Sequence, residues 1–168
     1  MNEYIPSPTG WVAEQVELYE SSDGAEGTTL RGLPVIIVTN KGRKTGATRK
    51  TPLMKVADGR NYVLIASRGG APKHPLWYHN LKADPNVEIR DESKVHAMRV
   101  REVVDSVERL RLWEIAVQAY PAYQDYQNKL AGNETSIAAN IIAAIAVVAW
   151  NGYCWNNVIS PPNDNQDL

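Results

Sequence analysis

Apolar and polar positions divide the chain into short segments of period two, a few of helical period, and one late run with neither. Val35-Ile36-Ile37-Val38-Thr39 is an unbroken β-branched stretch and reads as a buried strand, with Pro34 at its entrance where a missing amide donor is tolerated. Lys50–Ala57 and Asn61–Ser67 flank Asp58-Gly59 and predict two strands joined by a hairpin. Val87–Arg90 and Val95–Val104 predict a second pair around Asp91–Lys94. Helical spacing runs from about Gly10 to Glu20, with Thr9 as cap and Trp11, Val12, Gln15, Val16 and Tyr19 near one stripe. It recurs from Pro75 to Ala83, where Asp84-Pro85 stops it, and from Asp105 to Ala119, where Val107, Leu110, Trp113, Glu114 and Val117 trace a face. Pro121 interrupts that helix, and a second short one carries Tyr123 and Tyr126. Short antiparallel strands without regular strand–helix alternation argue against a doubly wound fold. They predict a mainly β member of the α+β class, a small barrel or sandwich with helical attachments.

The pattern changes after Lys129. Residues 130–168 contain no Lys or Arg, and Ile137–Trp150 is apolar except for Asn140. The run is shorter than the ~20 residues a spanning helix needs, so it reads as a core element. A helix capped by Thr135 or Ser136 fits, and so does a closing strand over 145–150. The expected organisation is a principal domain over 1–130 and an atypical C-terminal extension over 131–168.

Charge sharpens this outline. The chain of 168 residues carries a net charge of -1, yet between Lys41 and Lys73 its basic residues outnumber acids by nine to one, the acid being Asp58. A local excess in a nearly neutral protein points to one bound polyanion. Cys154 is the lone cysteine, which excludes an internal disulfide framework and fits a reducing compartment; with no signal-like N-terminus, the cytoplasm is the expected location.

The basic loop 41–50 lacks the P-loop spacing, because Ala47 stands where the second glycine belongs, and it lacks the Rossmann glycines. What remains is a strand-to-strand loop whose cations, with the Thr45 and Thr48 hydroxyls, either surround phosphate or carboxylate oxygens or form a solvated turn. Ser67–Lys73 joins a strand to a helix start through two glycines, either a place for a flat ligand and its negative charge or an ordinary connection. Tyr120, Tyr123 and Tyr126 wall a pocket or pack at a core edge. His74 and His79 have no Cys or Asp pair beside them, so no metal is expected. No Ser-His-Asp or Cys-His set can be assembled, and an enzyme built on these residues needs a cofactor.

Read together, Trp11–Glu20, Gly42–Gly46, Arg49–Met54, Ala66–Pro75 and Tyr120–Gln127 resemble the deazaflavin-dependent nitroreductase family of actinobacteria, in order and over about 9–129. The resemblance implies a split β-barrel of the flavin-reductase type with flanking helices. It also implies a reduced 8-hydroxy-5-deazaflavin cofactor (coenzyme F-420) bearing a phospholactyl oligoglutamate tail. On that resemblance Arg43, Lys44, Thr45, Arg49 and Lys50 meet the tail, and Pro52, Leu53 and Met54 lie along the deazaflavin. Ala66, Ser67, Arg68, Gly69, Gly70 and Lys73, with Trp77, complete the groove. Ser67, Tyr120, Tyr123 and Tyr126 line the acceptor side and are the catalytic candidates.

The implied activity is hydride transfer to a lipophilic, electron-poor small molecule such as a quinone, a nitroimidazole or an activated enone. The alternative is a related barrel that carries the cofactor without turnover. Nucleic acid is not an expected partner, since no aromatic residues interleave the basic loop. Peripheral membrane association is compatible with the apolar run. Family members continue into a closing strand soon after the position of Lys129, and here 145–150 is expected to restore it.

Overall fold

The computed structural model describes residues 3–71, 73–131 and 146–150. Its helices are α1 (Gly10–Ser21), α2 (Leu76–Ala83), α3 (Ser106–Ala119) and α4 (Ala122–Ala131). The strands are β1 (Thr29–Leu30), β2 (Leu33–Lys41), β3 (Thr48–Met54), β4 (Ala57–Asp58), β5 (Asn61–Ile65), β6 (Asn86–Asp91), β7 (Lys94–Glu102) and β8 (Ala146–Trp150). They form one antiparallel sheet in the order β1-β2-β6-β7-β8-β5-β4, with β3 also paired to β2. The architecture is therefore mixed α+β, mainly antiparallel sheet with flanking helices.

β2 is the hub. It pairs with β3 from Val35↔Met54 to Lys41↔Thr48 and with β6 from Ile37↔Arg90 to Thr39↔Glu88. Both faces are covered, because alternation sends Ile36 and Val38 into a core with Leu64, Trp77 and Leu81, and sends Val35 and Ile37 against Val16 and Tyr19 of α1. An uninterrupted apolar run is what a strand buried on both faces requires. A third cluster packs Leu112, Ala116, Tyr120 and Tyr123 on Val56, Val63, Ile65 and Val103.

Two expected helix boundaries hold. Pro75 and Asp84 bracket α2, and the Asp105 side chain caps α3 by accepting the Glu108 N–H at 2.8 Å. β8 lies between β5 and β7, with Leu64↔Val147 and Arg101↔Val148 among its partners.

Other expectations are corrected. Lys50–Ala57 is not one strand: β3 ends at Met54, and the Asp58 hairpin joins only Ala57-Asp58 to Asn61-Tyr62. The longer pairing of β3 goes to β2, because the Gly42–Ala47 turn brings those strands together locally, with Gly46 at φ 69°. The inward stripe of α3 is Leu112 and Ala116, whereas Val107 and Leu110 are 74% and 58% exposed. Trp11 is exposed on α1, and Thr9 serves that helix through its carbonyl, which accepts from Val12 and Ala13, without a side-chain cap. The expectations for 132–145 and 151–168 lie outside the described residues.

Candidate functional site

The basic hairpin closes tightly. Gly42 N–H donates to the Ala47 carbonyl at 2.8 Å, Gly46 N–H to the Gly42 carbonyl at 2.7 Å, and Thr45 Oγ1 accepts from Ala47 N–H at 3.3 Å. The turn docks on α2 because Arg43 N–H donates to Asn80 Oδ1 at 3.1 Å. Among the described residues no ion pair engages the Arg43, Lys44, Arg68 or Lys73 side chains, and all four residues are exposed. Such a set of free cations has the chemistry to receive a chain of carboxylates and a phosphate.

Arg49 and Lys50 are occupied differently. Arg49 Nη1 donates to the Ile5 and Pro6 carbonyls at 3.2 and 3.4 Å, holding the N-terminal segment that bridges to β3 at Tyr4↔Thr48. Lys50 points to the opposite face, where it donates to Glu20 of α1 at 2.7 and 2.5 Å and lies 5.0 Å from the Tyr4 ring. The two adjacent cations are thus not brought together. The same alternation divides Pro52, Leu53 and Met54: Leu53 packs toward the α2 core, and Met54 toward the clusters of α1 and α3.

Beyond β5 the backbone turns left-handed. Ser67 is right-handed helical (φ -76°, ψ -27°), followed by Arg68, Gly69 and Gly70 at φ 45°, 66° and 82°. A right-handed residue followed by a left-handed one directs successive N–H groups to one side, a concavity suited to anions. Ala66 and Ser67 are buried at its base, and Gly69 has open space where a Cβ would stand. Gly70 approaches protein: a Cβ there would meet Tyr126 of α4 at 3.2 Å. Trp77 is buried in the α2 core, in the same cluster as Ala66.

The three tyrosines do converge. The Tyr120 and Tyr126 hydroxyls are 3.1 Å apart, Arg31 Nη1 donates to the Tyr120 hydroxyl at 3.3 Å, and the Tyr120 and Tyr123 rings meet edge-on at 4.9 Å. Tyr123 is 5% exposed, and its hydroxyl has no hydrogen-bond partner among the described residues. Burial, reinforced by the neighbouring phenols, pushes its pKa far above the ordinary tyrosine range. The hydrogen bond with Tyr120 raises that of Tyr126, with burial second. Each is therefore a neutral donor near neutral pH.

Arg31, Asn40 and Asn80 belong to this region and escape a reading by motif. Arg31-Gly32 is a two-residue turn with both φ positive, 55° and 76°, and an Arg-Gly pair is a weak signal for it. Among the described residues no cluster of His, Cys, Asp and Glu suited to a metal ion occurs.

The profile of the F420H(2)-dependent quinone reductase family matches residues 11–138. An F420H(2)-dependent quinone reductase of Mycobacterium tuberculosis is 35% identical over 115 residues, 67% of this chain and 77% of the relative. A protein described as a putative F420H(2)-dependent quinone reductase of Mycobacterium bovis matches with the same values. Among solved structures, an F420-H2 dependent reductase aligns at 38% identity with a TM-score of 0.57, covering 69% of this chain and 92% of that one. Another, described as a domain-swapped dimer, aligns at 38% identity with a TM-score of 0.59, covering 85% and 98%.

Proposed function

The chain belongs to the F420H(2)-dependent quinone reductase family, and on that premise we propose a division of labour between its hairpin, its left-handed turn and its tyrosines. The protein is a deazaflavin-dependent oxidoreductase acting on quinone-type acceptors. When bound, the reduced deazaflavin supplies the hydride. Arg43 and Lys44 offer their free charges to the oligoglutamate tail, and Arg68 and Lys73 extend the positive rim toward the phosphate. The turn offers its Ser67, Arg68 and Gly69 backbone amides to the same ligand, while the Gly70 N–H closes the turn on the Ser67 carbonyl at 2.9 Å. Leu53 supplies an apolar edge, while Arg49 and Lys50 hold the hairpin in place through Ile5, Pro6 and Glu20.

A quinone taking up a hydride develops negative charge on oxygen and then needs one proton. Tyr123, a buried residue whose neutral hydroxyl has no partner among the described residues, carries this reading. It donates to that oxygen in a site poor in water, where such a donor is worth on the order of 10²-fold in rate. Tyr120 and Tyr126, joined to each other and to Arg31, orient the acceptor ring and pass the proton.

The finer architecture follows the same reading. β2 pairs on both edges while β3 also approaches β5, which supports a split β-barrel of the flavin-reductase type. Residues 1–130 carry the site, and the extension from 131 contributes β8. No helix among the described residues is long and apolar enough to cross a membrane. A cytoplasmic enzyme meeting lipophilic quinones at the membrane surface is part of the proposal.

The test is an anaerobic titration of the purified protein with reduced deazaflavin, followed by mixing with menadione while cofactor reoxidation is recorded. Saturable binding with acceptor-dependent reoxidation is expected. Binding without reoxidation would make the protein a carrier, and absence of binding would overturn the cofactor assignment.

A further inference from the structure

Asn40 is 4% exposed, the last buried residue of β2 before the basic hairpin. Its Oδ1 accepts from Asn80 Nδ2 at 3.2 Å, and Asn80 Oδ1 accepts from Arg43 N–H at 3.1 Å. Two amides in series therefore connect the strand core, α2 and the hairpin tip. Asn40 Nδ2 itself is the one buried side-chain polar atom among the described residues without a partner. Leaving such a donor bare is unfavourable, and a β-branched residue would fill the strand position without that cost.

Amide reversal does not remove the defect. Arg43 N–H is a backbone donor and cannot be inverted, so Asn80 must turn its oxygen to Arg43 and its nitrogen to Asn40. Asn40 must then answer with oxygen, which leaves its own nitrogen bare. The direction of the series is imposed from the hairpin end.

We infer that Asn40 is a positioning residue for the cofactor's anionic tail. It holds the Asn80 amide in the one orientation that docks the Arg43 backbone on α2, so that the Arg43 and Lys44 side chains are presented together before the ligand arrives. Preorganising a short basic turn spares the ordering cost at binding. This rests on the reading that the hairpin receives the tail.

The experiment uses the full chain with Asn40→Val, Asn80→Ala and the double variant. Dissociation constants are measured for the deazaflavin with a long oligoglutamate tail and for the tail-free chromophore, together with kcat and KM toward menadione and thermal melting. Asn40→Val is expected to weaken tailed cofactor on the order of tenfold. It should leave tail-free binding and kcat at saturation within twofold, and melt no lower than the parent. Asn80→Ala, made on the half-buried surface of α2, should reproduce the tail-specific loss, and in that background Asn40→Val should add nothing. Unchanged tail affinity in Asn40→Val, equal loss for both cofactors, or additive losses would overturn the inference. If Asn40→Val fails to fold, a normal tail affinity in Asn80→Ala overturns it equally. A parent protein that binds tailed and tail-free cofactor alike would instead remove the tail assignment on which the inference stands.

Discussion

A Cβ built on Gly70 would lie 3.2 Å from the Tyr126 carbonyl oxygen and 3.3 Å from its Cα. The turn that carries Ser67 is thus seated directly on the helix that carries Tyr123 and Tyr126. On the proposed assignment, one contact couples the surface offered to the cofactor with the wall offered to the acceptor. Both sides of the contact are backbone, so neither yields by a rotamer change.

Gly70→Ala meets both this crowding and a φ of 82°, and is expected to destabilise the fold by about 1–3 kcal/mol and to lower turnover. Gly69→Ala, with a φ of 66° but no atom within 4 Å, should cost only the left-handed penalty of about 1–2 kcal/mol. Urea midpoints of the two variants decide the matter: equal losses, with turnover preserved in Gly70→Ala, would show that the seating on α4 is immaterial.

Tyr123→Phe should reduce turnover on the order of 10²-fold and leave cofactor affinity unchanged. The melting temperature should hardly move, because the deleted hydroxyl has no partner among the described residues. Steady-state kinetics with menadione, read beside a melting curve, provide the check, and parental turnover would remove Tyr123 from the chemistry.

How far these features are legible in the sequence depends on how local their causes are. β2 declares itself, since burial on both faces demands an unbroken apolar run, and Asp105 declares the start of α3 through a contact three residues away. The partner of β3 does not, because pairing is chosen by turn closure and tertiary burial together. On α3, Val107 and Leu110 look as apolar as Leu112 and Ala116, and only packing against α4 and the sheet decides which pair turns inward. In the site, the tyrosine spacing is visible, but the Arg31 contact with Tyr120 joins residues 89 positions apart and the Asn40–Asn80 bond joins residues 40 apart. Neither bond leaves a mark in composition or period.

Charge changes in the basic segment should separate into two kinds. Lys44→Glu removes an exposed, unpaired cation and is expected to weaken tailed cofactor while leaving stability within about 0.5 kcal/mol. Lys50→Ala breaks the half-buried contact with Glu20 and should cost about 1–3 kcal/mol in stability, with a smaller effect on affinity. Chemical denaturation and cofactor titration of both variants test the split. A Lys50→Ala protein as stable as the parent, with greatly weakened tail binding, would return Lys50 to the cofactor site.

Alkaline stability should be governed by phenols that stay protonated in the fold. Burial, and then the hydrogen bond to Asp91, holds the Tyr62 pKa far above the ordinary value near 10; the hydroxyl donates to Asp91 Oδ2 at 2.7 Å beside the Lys55 ion pair. Burial does the same for Tyr123. Below pH ~10 both phenols are protonated in the folded and unfolded chain alike, and they make no contribution to pH dependence. As the pH rises above that value the unfolded chain releases protons that the folded one retains, so stability falls with rising pH. Tyr62→Phe and Tyr123→Phe should each flatten this alkaline decline. The measurement is denaturant unfolding at increasing pH with tyrosinate absorbance recorded alongside. Ordinary titration of these phenols in the still-folded protein, or an alkaline decline unchanged in both variants, would show that they do not set the limit.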